Sequence, residues 1–203
     1  MHLTEKPAGL ILAGGAASRL GGEKAMLPFD GATLLDAVIA RVASQVSTLA
    51  LSVRTGDGRC YASRYANFPL VFDASIDHAG PLAGIVAGLE WLARRDGARW
   101  LAAFPCDTPF LPHDLVSQLW ARTRDAPVFA RDGERLHGVC AIWPLECLDR
   151  LRTGVETGKL RSLQGALSEL GGETCLIAAP PHAFFNINTQ DDLQEAERLA
   201  SNS

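Results

Sequence analysis

Four short apolar runs dominate the first half of the chain. Ala8–Ala13 (AGLILA) stops at Gly14-Gly15, Thr48–Val53 is the second run, Pro69–Phe72 (PLVF) stops at Asp73, and Trp100–Phe104 stops at Pro105. Short unbroken apolar runs bounded by turn formers predict strands covered on both faces. Between them the period changes. Apolar residues at 34, 35, 38, 39, 42 and 46 have helical spacing. A longer helix is predicted from Pro81 to Arg95, with proline in its first turn and Arg94-Arg95 in its last. Pro112–Arg124 reads as another, with Asp114 in its first turn. Later elements are less regular. Strands are expected at Val128–Ala130, Val139–Trp143 and Glu173–Ala178, and helices at Pro144–Arg152 and Leu160–Leu170. A closing helix, Thr189–Ala200, has Thr189 as N-cap and Asp191-Asp192 in its first turn.

Strands alternating with helices predict an α/β fold with a mostly parallel sheet. No repeat or linker divides the 203 residues, so one domain is expected over 1–203. In such sheets ligands bind beyond the carboxyl ends of the strands. The loops to search therefore begin at Gly14, near Ser52, at Asp73 and at Pro105.

Composition narrows the classes. Apolar residues make up 47 % and charged residues 21 %, which excludes disorder and fibrous repeats. A net charge of −4 gives no footprint for nucleic acid or an anionic membrane, while leaving room for a locally positive site. Five cysteines without a C-x-x-C pair suggest neither a disulfide framework nor a zinc site, and point to a reducing cytoplasm. Lys6 and the run Ala8–Ala17 faintly resemble a signal peptide. Glu5 and the interrupting glycines argue against it.

The first loop reads Leu12-Ala13-Gly14-Gly15-Ala16-Ala17-Ser18-Arg19-Leu20-Gly21-Gly22-Glu23-Lys24. Small residues let backbone N–H groups approach and cradle an anion, and Arg19 and Lys24 add two cations. Glu23 stands where a P-loop needs glycine, and no G-x-G-x-x-G occurs. The bland alternative is a surface loop with two solvated cations. The string L-A-G-G-x-x-x-R-L-G-x-E-K resembles the N-terminal signature of nucleotidyltransferases that activate molybdopterin and related small molecules. Glu23 holds a place more often given to Asp.

The later loops extend the resemblance. Gly80-Pro81-Leu82-Ala83-Gly84 is similar to the family's base-pocket loop, where Gly80 and Gly84 let the backbone lie along a flat base; close helix packing is the alternative. His78, just before, reads as a solvated residue. Pro105-Cys106-Asp107-Thr108-Pro109-Phe110-Leu111-Pro112 resembles the molybdenum cofactor guanylyltransferases. A carboxylate fixed between prolines suits Mg²⁺, which takes carboxylate, water and phosphate oxygens. Cys106 reads as structural. Asn186-Ile187-Asn188-Thr189-Gln190-Asp191-Asp192-Leu193 resembles the family's late motif. His137 falls before an acceptor-side strand, with substrate contact and a structural role both open. Ser52 stands where the family tends to have Asn, which puts its nucleotide contact in question.

The resemblance implies a Rossmann-like three-layer α/β/α nucleotidyltransferase fold. Residues 1–124 would be mainly nucleotide-binding and 125–203 mainly acceptor-binding. The implied reaction transfers GMP from Mg·GTP to molybdopterin or its molybdenum-loaded form. Lys24, Arg19 and Asp107 would be catalytic, with Asp107 holding the metal. Leu12, Ala13, Gly14, Gly15, Lys24, Ser52, Asp73, Gly80, Gly84 and Asp107 would bind nucleotide, and Asn186 and Asn188 the acceptor. Transient contact with proteins that deliver or receive the cofactor is also implied. A cytidylyltransferase, another phosphorylated acceptor, or a non-catalytic nucleotide-binding module remain the alternatives. CTP-using relatives tend to read L-A-A-G, so Gly14 favours guanine.

Overall fold

Of the seven strands in the central sheet, one runs against the other six, and it carries the chain into the second half of the fold. The structure is a computed structural model that describes residues 6–14, 16–17, 22–56, 58–73 and 80–201. The strands are β1 (Ala8–Leu12), β2 (Leu49–Arg54), β3 (Leu70–Asp73), β4 (Trp100–Pro105), β5 (Val128–Asp132), β6 (Arg135–Pro144) and β7 (Glu173–Leu176). Their order is β3-β2-β1-β4-β6-β5-β7. β1 is parallel to both β2 and β4, with Leu10 opposite Ala50 on one side and Ala103 on the other. β6 is antiparallel to β4 and β5.

The order reverses at β1, between β2 and β4. This is the switch point at which α/β sheets open a crevice for ligands. The loops that leave β1 and β4 therefore meet there.

Side chains alternate across β1 and β4. Ile11, Ala102 and Phe104 face one core, while Leu10, Leu101 and Ala103 face the other. The helices fill both sides: α1 (Leu34–Val42), α2 (Gly58–Arg64), α3 (Pro81–Ala93), α4 (Leu115–Trp120), α5 (Leu148–Glu156), α6 (Leu163–Glu169) and α7 (Gln190–Ser201). α1 and α4 cover the first face, and α3, α5 and α6 the second. The expected three layers and mostly parallel sheet are present. α7 packs elsewhere, with Leu193 and Ala196 against Phe29, Leu34, Phe110 and Ile187.

α3 lies unusually close to the sheet. A Cβ built on Gly88 would fall 2.4 Å from Leu10 Cδ2, and one on Gly84 would fall 2.8 Å from Leu12 Cδ2. The two glycines, four residues apart, form the helix's contact stripe. α1 begins with a reciprocal cap. The Thr33 hydroxyl accepts from the Asp36 N–H, and the Asp36 carboxylate accepts from Thr33 N–H.

Several expectations need correction. The helix expected over 112–124 is only Leu115–Trp120; Pro112 opens a turn whose carbonyl accepts from Leu115 N–H. β6 starts at Arg135 rather than Val139 and shifts register against β5 between His137 and Ala141, a bulge that a polar, glycine-containing stretch conceals. α2 and the tight turn at Asp30-Gly31 went unforeseen. Both turn residues have positive φ, 46° and 73°, as a two-residue hairpin of this hand requires. Ser52 is not in a loop: β2 continues to Arg54.

Candidate active site

Asp107 leaves β4 one residue beyond a buried thiol. Cys106 is 4 % exposed, which anchors the turn in the core. The Asp107 carbonyl accepts from Ile187 N–H at 3.0 Å, stitching the turn to the segment before α7. Its Oδ1 accepts from the Thr108 hydroxyl at 3.2 Å. The carboxylate is thus fixed from both ends of its residue.

Asn186-Ile187-Asn188 is extended, so alternate side chains face opposite ways. Ile187 is fully buried beside Phe29 and Phe110. The two amides flanking it turn the other way, toward Lys24. The segment is held by a second cap: Asp192 Oδ2 accepts from the N–H groups of Asn188 (2.9 Å) and Thr189 (2.8 Å), and Thr189 Oγ1 accepts from Asp192 N–H. These bonds, led by the Asn188 N–H, hold the Asp192 carboxyl below its ordinary value.

Lys24 completes the centre. It opens a short 3-10 turn, Lys24–Met26, and its side chain is 11 % exposed. Nζ lies 2.6 Å from Asp107 Oδ2, 2.7 Å from Asn188 Oδ1 and 3.4 Å from Asn186 Oδ1. An ammonium has three protons, and three protein oxygens surround this one. Residues 83, 162 and 164 positions from Lys24 in the sequence thus share one atom.

The other side of the crevice is built from backbone. A Cβ on Gly14 would meet Arg54 Cγ at 3.1 Å, the Arg54 nitrogen at 3.2 Å and Asp73 Oδ2 at 3.5 Å. The structure therefore brings Gly14 and Asp73 together. Ala13 N–H donates to the Ser52 carbonyl, and Tyr61 of α2 donates its hydroxyl to the Ala13 carbonyl at 3.1 Å. Tyr61 and Arg54 were missed by sequence reasoning, and no local signal marks them. Gly80 has φ 51°, the left-handed region open to glycine. Ser52 is 2 % exposed, and its hydroxyl lies 2.9 Å from the Cβ position of Gly84. Ser52 and Gly84 therefore fill each other's space and serve packing, not direct nucleotide contact. Gly15, Arg19 and His78 lie outside the described residues.

On the far side of Asp107 a cavity of about 180 Å³ is lined by Pro105, Thr108, Arg135, His137, Phe184 and Asn186, among others. The bulge residues Gly138, Val139 and Cys140 also border it. His137 stacks on Phe184 with ring centroids 4.1 Å apart and planes at 13°. Burial and then the Arg135 charge lower its pKa below 6.5, so the ring is neutral at pH 7. Burial and then the Asp107 charge push the Cys106 thiol up to about 12. It is no nucleophile at neutral pH.

The arrangement offers a fixed carboxylate, a lysine and amide oxygens beside a glycine-built loop, with open volume on the opposite side. Residues 9–174 match the family described as MobA-like NTP transferase domain. The chain is 40 % identical over 191 residues to a molybdenum cofactor guanylyltransferase from Acidiphilium cryptum, covering 93 % of this chain and 92 % of that one. It is 41 % identical over 209 residues to one from Rhodopseudomonas palustris, covering 96 % and 92 %. Among solved structures, the molybdopterin-guanine dinucleotide biosynthesis protein A of Archaeoglobus fulgidus shares the fold. Its TM-score is 0.80 at 22 % identity, with 97 % of this chain and 100 % of that one covered.

Proposed function

The chain belongs to the MobA-like NTP transferase family and is a nucleotidyltransferase; we propose that it transfers GMP from magnesium GTP to the terminal phosphate of molybdopterin or its molybdenum-loaded form. An oxygen of the acceptor phosphate bonds to the α-phosphorus. The bond from that phosphorus to the bridging α–β oxygen breaks, and pyrophosphate leaves with the electron pair. The acceptor phosphate is already ionised at pH 7, so no general base is needed. The protein supplies position and charge.

The observation that carries this reading is the meeting of Lys24, Asp107, Asn186 and Asn188 at the switch point. Lys24 and Arg19 neutralise phosphate charge, and the backbone at Gly14 and Gly15 cradles it. Leu12, Ala13 and Gly80 lie along the guanine, and Asp73 contacts the nucleoside. Ser52 and Gly84 act one layer behind, by setting the distance between α3 and the sheet. The acceptor enters over residues 125–203, and the cavity beside Asn186 gives it room. Residues 1–124 carry mainly the nucleotide.

The donor set suits a hard divalent cation. Asp107, Thr108, Asn186 and Asn188 present oxygen only. Among the described residues no group of three or more His, Cys, Asp or Glu stands ready for a metal, so phosphate and water oxygens complete the shell. Magnesium held by Asp107 would offset charge on the triphosphate. The free cysteines Cys106, Cys140, Cys147 and Cys175 fit a reducing cytoplasm.

The test is pyrophosphate release by the purified protein with Mg²⁺ and molybdenum-loaded molybdopterin, comparing GTP, CTP and ATP. Release with GTP alone is expected. Release with CTP alone overturns the base assignment and keeps the residue roles. No release from folded protein with any nucleotide overturns the reaction.

A further inference from the structure

The Lys24 ammonium occupies the place of a cation. It sits within 3.4 Å of three oxygens, one of them the Asp107 carboxylate oxygen at 2.6 Å. Two demands then conflict. Oδ2 of Asp107 cannot ligate a metal while it holds an ammonium at contact distance. The lysine cannot touch phosphate while all three protons are spent on protein oxygens. A buried ammonium without partners is costly, so the lysine leaves only when another anion receives it.

We propose that Asp107, Asn186 and Asn188 form an oxygen-lined cation seat that Lys24 fills until the metal nucleotide arrives, whereupon the metal takes the carboxylate and the lysine passes to the phosphates. This rests on the reading that Asp107 is the metal ligand. Asn186 and Asn188 then act first as positioning residues for the lysine rather than as acceptor contacts. Three features of the site support the exchange. The amides contribute oxygen, which suits an ammonium and a hard metal ion equally. The capped backbone of residues 188–189 keeps the Asn188 oxygen in place with or without the lysine. The Thr108 hydroxyl engages the other carboxylate oxygen, Oδ1, so Asp107 does not swing away when Lys24 departs. The exchange has a functional consequence. The seat rejects free divalent ions and admits one that comes with an anion for the lysine, so unproductive metal binding is suppressed.

The apparent affinity for metal alone is reduced by the fraction of protein whose seat is open; a pair closed nine-tenths of the time weakens it about 10-fold. The experiment titrates the nucleotide-free full chain with Mn²⁺ alone, followed by electron paramagnetic resonance. Lys24→Met, checked for folding by thermal melting, should bind Mn²⁺ at least ~10-fold more tightly than the parent. Lys24→Gln serves if the Met variant melts early. In the absence of metal the same variant should bind an α,β-methylene GTP analogue more weakly. A general structural defect weakens both ligands, whereas exchange moves them in opposite directions. Arg135→Met, which removes a cation bordering the adjoining cavity, should leave Mn²⁺ affinity unchanged. An equal gain there means that net charge, not exchange, is responsible, and overturns the proposal. Unchanged Mn²⁺ affinity in Lys24→Met overturns it too, and leaves the metal reading standing if Asp107→Asn abolishes binding. Tight binding that survives Asp107→Asn in the Lys24→Met background overturns the metal reading itself.

Discussion

The loop after β1 and the loop after β4 meet at the same end of the sheet but are built differently. The first works through absent side chains. Gly14 exists because Arg54 and Asp73 crowd it, and the Ala13 carbonyl is held by Tyr61 from a neighbouring helix. The second works through side chains that are present and fixed. Asp107 is tied by its carbonyl to Ile187, by Oδ1 to Thr108 and by Oδ2 to Lys24. A glycine loop shapes a surface and tolerates many ligands. A carboxylate clamped at three points commits a site to one cation and one geometry. Damage to the first should appear as lost stability or lost affinity, and damage to the second as lost rate.

The largest expected effect lies in the second region. Asp107→Asn keeps the shape and an acceptor for Lys24 but removes the charge. Turnover should fall by at least ~1,000-fold, about 4 kcal/mol of transition-state stabilisation. The far-ultraviolet dichroism and the melting temperature should stay near the parent values. A loss of less than tenfold would show that the β4 loop is only a structural turn, and the contrast between the loops would collapse.

The opposite outcome is expected on the glycine side. A Cβ on Gly84 would lie 2.8 Å from Leu12 Cδ2 and 2.9 Å from Ser52 Oγ. Forcing a methyl group into such packing costs about 1–3 kcal/mol. Gly84→Ala should therefore lower the urea midpoint while KM for GTP in the folded protein stays close to normal. A raised KM at unchanged stability would instead put Gly84 against the base. That result would return it to the role its loop resemblance suggested.

This difference also explains what the sequence could disclose. β1 to β4 were legible because both faces of each are covered, which leaves nearly continuous apolar runs. Lys24, Asp107 and the two asparagines were legible as chemistry, since charged and amide groups beside prolines and glycines have few structural reasons to be there. Their union on one ammonium was not, because nothing in linear order says that position 24 meets position 188. α2 escaped because it begins at glycine, spans Gly58–Arg64 and lacks apolar spacing. The first half of β6 escaped because its bulge breaks the period of two. Ser52 and Gly84 look like a loop residue and a base-pocket glycine in the sequence; only the distance between α3 and β2 shows that they pack on one another.

The smallest effect tests whether the cap that holds the second region works by charge. The Asp192 carboxyl lies below its ordinary value of 3.8, first because Asn188 donates its backbone N–H to it. A carboxyl lowered on folding binds fewer protons in the folded state than in the unfolded one near that pH. Its contribution is present above the unfolded value and is lost as pH falls through the folded one. Asp192→Asn should therefore cost about 1 kcal/mol at pH 7, the usual scale for a lost helix cap. The gap between variant and parent, followed by urea melts, should narrow as pH drops below 4 and the parent's own carboxyl protonates. Asp36, also lowered despite burial by bonds from Thr33, Arg64 and Tyr65, titrates in both proteins and cancels in the difference. A gap that stays constant down to pH 3 would mean that the side chain caps by shape alone. The Asn188 oxygen would then owe its place to Ile187 in the core rather than to the helix terminus, and the two regions would differ less than their bonding implies.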